Sequence, residues 1–215
     1  VKVNPKVVKV DKKDRRTVGE KIIPNREVKL KVNPKIDVII ISVNYNDFLL
    51  VSLSNNIKYF KNITVVTSSD DLMCQKICDK FKVKCVITER MYEDGSSFNK
   101  GKAINEGIKS INNPDWILLM DADIVLSDKL ELPDIDEDTL YTTDRYICND
   151  YNTYKEWMKN NIKLEKIGKY ESEKGLGFFQ LFNINCQSNR KFFYSEDYTD
   201  ASYSDLEFRD RFKIN

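Results

Sequence analysis

Two carboxylates one residue apart, Asp121 and Asp123, close an apolar run in DWILLMDADIVL (115–126). Trp116 to Met120 read as a buried strand that delivers both acids to its carboxyl end. In an open α/β sheet, that end is where ligands bind. Two carboxylates side by side resist ionisation unless a cation neutralises them. Hard oxygen ligands without imidazole or thiolate select Mg2+ or Mn2+, which keep waters and bridge to phosphate oxygens. The plainer reading is a strand-end turn in which Asp123 only caps a helix.

Other residues with chemical potential fall at similar junctions. Asp70 and Asp71 follow the apolar run ITVVTS (63–68) and open a helix. Lys100, Gly101 and Lys102 lie near the start of a helix in FNKGKAINEGI (98–108), where the lysines also read as plain surface charge. YSDLEFRDRF (203–212) puts Asp205 and Glu207 at a helix start, with Ser204 expected as N-cap and the acids favoured by the dipole.

The absences are as informative. There is no His, which removes Ser-His-Asp and Cys-His catalysis and imidazole acid–base work. The five cysteines, Cys74, Cys78, Cys85, Cys148 and Cys186, are odd in number and form no CxxC. That argues against a disulfide framework or a thiolate zinc site and for a reducing, cytoplasmic setting. Cys74 and Cys78, one helical turn apart, read as small core residues. None of the seven glycines falls in a GxGxxG or P-loop pattern, which argues against Rossmann dehydrogenases and P-loop kinases. The first strand runs instead into Asn44, Tyr45, Asn46 and Asp47, unlike the Gly-rich loop of sugar nucleotidyltransferases.

The elements that must position these residues follow from periodicity. IDVIIISV (36–43), 63–68, VKCVIT (83–88) and 116–120 are short apolar runs, as in strands buried on both faces. Helical spacing fills the intervals: Asp47–Phe60, a helix opened by Asp70 and Asp71, and Asn99–Ile111. This predicts a parallel α/β sheet with right-handed crossovers. Beyond Pro133 the pattern weakens to strands near 139–143 and 176–184 and helices near 152–161 and 204–212.

The 215 residues fit one domain with an appendage, at roughly 150 residues per domain. Residues 1–35 carry twelve Lys/Arg against four Asp/Glu, a net of +8, while the remaining 180 carry −7. The segment contains a near repeat, VKVNPK (1–6) and LKVNPK (30–35), and Val28, Leu30 and Val32 alternate with lysines as in a half-buried strand. It reads as a basic arm or added edge strand, or as a contact for a polyanion. No apolar run reaches the roughly 20 residues needed to span a bilayer.

Across about residues 36–212 the sequence resembles the GT-A glycosyltransferases, especially the inverting, family-2-like group that uses nucleotide-diphospho-sugars. Four blocks carry the resemblance in order: IDVIIISVNYNDFLL, ITVVTSSDD, FNKGKAINEGI with DWILLMDAD, and YSDLEFRDRF. In the last, Asp205, Glu207, Phe208 and Arg211 match, but Ser204 stands where an acid is usual. The resemblance implies a GT-A fold of α/β class, a Rossmann-like and mostly parallel central sheet flanked by helices, with a basic N-terminal extension. It divides the chain into an arm or added strand (1–35), a nucleotide-sugar-binding half (36–126) and an acceptor-binding half (127–215).

The resemblance also assigns roles. Asn44 and Tyr45 would line the nucleotide pocket, and Asp70 or Asp71 would accept from uracil or ribose. Lys100, Gly101 and Lys102 would approach the ribose and diphosphate, with Gly101 permitting close backbone approach. Asp121 would contact ribose or a metal-bound water, and Asp123 would bind Mn2+ or Mg2+. Asp205 would be the base, with Glu207 as alternate. Phe178, Phe179 and Gln180, in GLGFFQLF (175–182), would border the acceptor, and SEDYTDAS (195–202) is a candidate lid. The donor favoured is a UDP-sugar. The acceptor favoured is a glycan or protein, with modified DNA as a minority option that the basic arm keeps open. The other reading is a non-catalytic GT-A-like domain that binds nucleic acid or a protein through the arm. Lys/Asn/Ile richness hints at an AT-rich genome, viral or bacterial, so the compartment would be a cytoplasm, the host's if viral.

Overall fold

The computed structural model describes residues 2–9, 34–130, 132, 135–166, 177–186, 194–201 and 203–212. The β-branched run after Lys35 forms β2 (Ile36–Ile41), preceded in the chain by β1 (Lys2–Lys9). Then follow α1 (Asn46–Asn56), β3 (Asn62–Thr67), α2 (Leu72–Phe81), β4 (Lys84–Ile87), a 3-10 turn (Arg90–Gly95), α3 (Lys100–Lys109) and β5 (Trp116–Met120). The second half contributes β6 (Val125–Leu126), β7 (Tyr141–Ile147), α4 (Tyr151–Asn160), β8 (Glu165–Lys166), β9 (Phe179–Asn183) and α5 (Ser204–Asp210).

All these strands join one sheet in the order β4-β3-β2-β5-β9-β7-β1-β6, with β8 on β7. The first four are parallel. β9 then runs antiparallel to β5 and β7, and β7 antiparallel to β1. This is the expected α/β class: a Rossmann-like parallel unit flanked by helices, extended by an antiparallel half. β2 lies between β3 and β5, so the strand order reverses there, and the carboxyl ends of β2 and β5 flank the crevice such a reversal leaves.

Alternation along the strands builds a core on each face. Val38, Ile40, Val65 and Leu118 pack with Leu49 and Leu53 of α1 and Ile77 of α2. Ile39, Val66, Ile117 and Leu119 pack with Ala103, Ile104 and Ile108 of α3 and Phe208 of α5. Cys74 and Cys78 are buried in the first of these cores, and the five cysteines are free thiols. Among the described residues no helix is long and apolar enough to cross a membrane.

β1 lies between β7 and β6 and pairs with both, so it is not the edge strand that its lysines led one to expect. The alternation expected at Val28–Val32 lies outside the described residues. So does all of 167–176, which includes the first residue of the expected strand near 176–184; β9 starts at Phe179. The two-residue β6, which has too little length for a periodic signal, was not foreseen.

Candidate active site at the carboxyl ends of the strands

β5 is buried along all five residues and ends at Asp121, whose backbone N–H donates to the Phe178 carbonyl at 3.0 Å. The chain then turns, with Ile124 N–H donating to the Asp121 carbonyl at 3.2 Å. Polar residues of α1 hold this turn from beneath. Ser52 Oγ donates to the Ala122 carbonyl at 2.6 Å, and Asn56 Nδ2 to the Ile124 carbonyl at 2.8 Å. Asn56 Oδ1 accepts from Leu126 N–H at 3.0 Å, and Asn55 Nδ2 donates to the Leu126 carbonyl at 2.7 Å. All three side chains belong to buried residues, so each bond is made away from water, where leaving it unmade is costly. They fix the loop on which Asp121 and Asp123 stand.

The Asp121 side chain is 41% exposed and open to the crevice. Burial first, then the charge of Asp121, raises the Asp123 pKa, while Arg145 pulls it the other way.

Lys100, the first residue of α3, reaches this pair. Its Nζ is 3.1 Å from Asp121 Oδ1, with the side chain 16% exposed. Burial opposes the ammonium charge, but Asp121, Asp205 and Asp123 together outweigh it and raise the Lys100 pKa. Lys102 is turned to a different partner set, Asp94 at 2.6 Å and Glu93 at 3.4 Å.

Asp205 arrives from α5. Its Oδ2 accepts from Gly177 N–H at 2.9 Å and its Oδ1 from Leu206 N–H at 3.0 Å. Gln180 Nε2 donates to the Asp205 carbonyl at 3.2 Å, and Gln180 Oε1 accepts from the Tyr194 hydroxyl. Burial, then Asp205 and Asp121, push the Tyr194 pKa up, which keeps that hydroxyl a donor. A Cβ on Gly177 would lie 2.0 Å from Asp205 Oδ2, so only glycine admits the carboxylate there.

Several expectations need correction. Gly101 does not offer its open face to a ligand: an added Cβ would meet the Ser195 carbonyl oxygen at 2.0 Å, so the glycine serves helix-to-loop packing. Phe178, Phe179 and Gln180 are buried and so do not present a surface to an acceptor. β9 is an interior strand, covered on both faces, and Phe178 carries the Arg145 guanidinium 4.6 Å from its ring centre. Both Glu207 oxygens take the Arg211 guanidinium, at 2.8 and 2.7 Å, which leaves it poorly placed as a base. Ser204 is not the N-cap; Tyr203, with φ of 63°, occupies that position without a capping bond.

The acidic pair after β3 divides. Asp71 is buried and caps α2, accepting from Asn44 N–H at 2.7 Å, Asn46 Nδ2 at 3.0 Å and Cys74 N–H at 3.1 Å. Burial raises its pKa, yet those donors prevail and hold it below the usual carboxylate value. Asp71 thus locks the Asn44–Asn46 loop, and Asp70 is the exposed member of the pair. Asn44 adopts φ of 58°, a left-handed turn that asparagine tolerates, and Tyr45 stands 55% exposed at its rim.

The 195–202 stretch is tied down where it is described, contrary to a lid that orders only with ligand. Glu196 accepts from Arg90 at 2.7 Å and Asn105 at 2.8 Å, and its carbonyl from Asn99 at 2.8 Å. The Thr199 carbonyl accepts from Ser97 N–H at 2.9 Å.

Among the described residues no three His, Cys, Asp or Glu side chains cluster as a ready cation cage. The donor set is two carboxylates, Asp121 and Asp123. That fits Mg2+ or Mn2+, which commonly takes one or two carboxylates and completes its shell with water and substrate phosphates.

No family model matches the sequence, and no curated protein matches it. Among solved structures, the chain is similar to glucosyl-3-phosphoglycerate synthase of Mycobacterium tuberculosis, at 15% identity and TM-score 0.34, over 43% of this chain and 35% of that one. Mannosyl-3-phosphoglycerate synthase from Rubrobacter xylanophilus matches at 18% identity and TM-score 0.35, over 42% and 31%. A further structure of the mycobacterial enzyme, in complex with Mn2+, UDP and glucosyl-3-phosphoglycerate, matches at 15% identity and TM-score 0.33, over 42% and 34%. The chain thus spans about a third of the solved chains it matches.

Proposed function

We propose that this chain is a metal-dependent glycosyltransferase that moves a sugar from a nucleotide-diphospho-sugar, a UDP-sugar favoured, to an acceptor hydroxyl with inversion. One observation carries the reading: Asp121 and Asp123 follow the carboxyl end of β5 on a loop held by α1, and Lys100, the first residue of α3, sets its ammonium 3.1 Å from Asp121 Oδ1. Two carboxylates on one side and one on the other are what an in-line displacement uses when no imidazole exists.

In this reading Asp123, with Asp121, would hold Mn2+ or Mg2+, which stabilises negative charge on the departing diphosphate. Lys100 supports the same charge from the first residue of α3. Asp205 takes the proton of the acceptor hydroxyl, its orientation fixed by the N–H groups of Gly177 and Leu206. Each oxygen of that carboxylate accepts one backbone bond and keeps a second lone pair for the acceptor. Tyr45, exposed beside the Asn44 turn, offers a ring to the nucleobase, and the exposed Asp70 is the acid that would accept from uracil or ribose. Tyr203, 67% exposed and two residues before Asp205, offers a ring to the sugar or acceptor. The compartment in this reading is a cytoplasm.

The test is turnover of a panel of UDP-sugars with Mn2+, in wild type, Asp123→Ala and Asp205→Asn. Asp123→Ala should abolish metal-dependent turnover. Asp205→Asn should lower transfer about 10²–10⁴-fold, the usual share of general-base catalysis, while UDP and Mn2+ affinity stay within a few-fold. Full activity in excess chelator, or product with the donor's anomeric configuration retained, overturns the proposal. Failure of every donor, together with Asp123-independent binding of a polyanion, would favour the non-catalytic reading.

A further inference from the structure

Lys100 occupies an awkward place for a site that must also hold a dication. Its ammonium is 3.1 Å from Asp121 Oδ1, an oxygen assigned above to metal binding. The lysine is not on a loose arm. Asn99 caps α3 by accepting from Lys102 N–H at 2.9 Å and donates to the carbonyls of Glu196, at 2.8 Å, and Tyr198. Gly101 packs against the Ser195 carbonyl with no room for a Cβ. The backbone that carries Lys100 is thus pinned on both sides, and the side chain is mostly buried.

A positive charge fixed beside a metal ligand repels an arriving dication, and partial burial weakens the screening that water would provide. Arg145 adds positive charge near Asp123. Lys102 does not, since Asp94 and Glu93 neutralise it. Asp205 and the two metal-site acids give three negative charges against Lys100 and Arg145. That leaves a net of one negative charge, and a dication added alone meets an Asp121 carboxylate already paired with an ammonium at 3.1 Å. A dication that arrives with a diphosphate brings its own compensating charge, and the ammonium then has phosphate oxygens to pair with.

We propose that Lys100 is a built-in counter-ion that makes divalent-cation binding conditional on the donor diphosphate, so that free metal does not occupy the site. The inference rests on the metal-site reading of Asp121 and Asp123, and it concerns coupling rather than turnover. By linkage, a residue that lets UDP tighten Mn2+ must let Mn2+ tighten UDP by the same factor.

The test is titration of the full chain with Mn2+, followed by the electron paramagnetic resonance signal of free Mn2+, with and without UDP. The proteins are wild type, Lys100→Met, Lys100→Gln, Lys100→Arg and Asp123→Ala. In wild type, UDP should tighten Mn2+ by a factor within the usual coupling range, about 5–150-fold. In Lys100→Met and Lys100→Gln, Mn2+ alone should bind more tightly than in wild type, and the UDP enhancement should shrink to within about 5-fold. Lys100→Arg, which keeps the charge, should restore weak metal-only binding. A merely structural lysine would lower both affinities together, so opposite movement of the two is the signature. Unchanged or weaker metal-only binding in both neutral variants, with UDP-dependent binding intact in wild type, overturns the counter-ion role and leaves the metal site standing. Absence of Asp123-dependent Mn2+ binding in wild type with UDP overturns both.

Discussion

Gly177→Ala tests the placement of Asp205 without altering its chemistry. The added Cβ would lie 2.0 Å from Asp205 Oδ2, 2.5 Å from its Cβ and 2.6 Å from its Cγ. Ordinary contact begins near 3.4 Å, so the carboxylate must retreat by about 1 Å or more. It cannot do so by sliding the helix freely, because Gln180 anchors the Asp205 carbonyl at 3.2 Å and Phe208 is fully buried in the core below. Overpacking of this kind costs about 1–3 kcal/mol of stability. A misplacement of about 1 Å at a reacting group costs on the order of 10²-fold in rate. Steady-state sugar transfer should therefore fall about 100-fold, while UDP and Mn2+ affinity stay within a few-fold, since Asp121, Asp123 and Lys100 are untouched. In an Asp205→Asn background the same substitution should add little, because the group it displaces is already disabled. A folded Gly177→Ala protein that transfers sugar at the wild-type rate would refute the assignment of Asp205 as base.

Arg90→Met should destabilise the chain by about 1–2 kcal/mol, read as a lower urea midpoint, because Arg90 bridges Glu106 and Glu196 in a partly buried network. The bond from Arg90 chiefly holds Glu106 low; at Glu196, burial is outweighed by the bonds from Asn105 and Arg90. Depressed acids contribute stability above their unfolded pKa, about 4.3 for Glu, that is lost as pH falls through the folded values. The gap between wild type and Arg90→Met should thus be widest at neutral pH and close in acid. Asp123→Asn has the opposite sign: its raised pKa means the ionised form penalises the native state above the unfolded carboxylate pKa, about 4. Without metal, the variant should melt higher than wild type at pH 7, with the gain vanishing in acid; a variant that melts lower at pH 7 would contradict it. Glu207→Gln should cost far less turnover than Asp205→Asn, because its carboxylate serves Arg211.

What the sequence made legible was what local pattern encodes. The apolar run of β5 and the acids at its end were readable because both signals lie within a dozen residues. The tie between Asp70 and Asp71 was open to a capping rule: Asp71 stands three residues before the N–H it accepts from. Glu207 and Arg211, four apart on a helix, carry an ion-pair signal in plain sight. GFFQLF does not border an acceptor because β9 lies between β5 and β7 with both faces covered, which buries every one of its residues. Gly101 and Gly177 were beyond reach for a different reason. Each is glycine because of an atom far along the chain, Ser195 oxygen and Asp205 Oδ2, and nothing local announces either partner. The polar stripe Ser52, Asn55 and Asn56 lay hidden behind the leucine spacing that correctly marked α1 as a helix.

The segment from Tyr194 to Thr199 bears on how the site holds together. It overlaps the candidate lid (195–202), yet it is bonded both to the start of α3 and, through Gln180, to Asp205. Tyr194 reaches Asp205 through Gln180; Ser195 sets the seat of Gly101, and so of Lys100; Glu196 ties the whole to Arg90 and Asn105. Buried side-chain networks of this kind are worth more than the sum of single deletions. The positions of Lys100 and Asp205 are therefore not independent. A substitution such as Asn105→Ala, which removes a bond to Glu196 and another to the Tyr194 carbonyl, should disturb both. It should weaken UDP binding and slow transfer together, whereas Gly177→Ala should slow transfer alone. That difference separates a scaffold shared by the two sides from two sites that only happen to be adjacent.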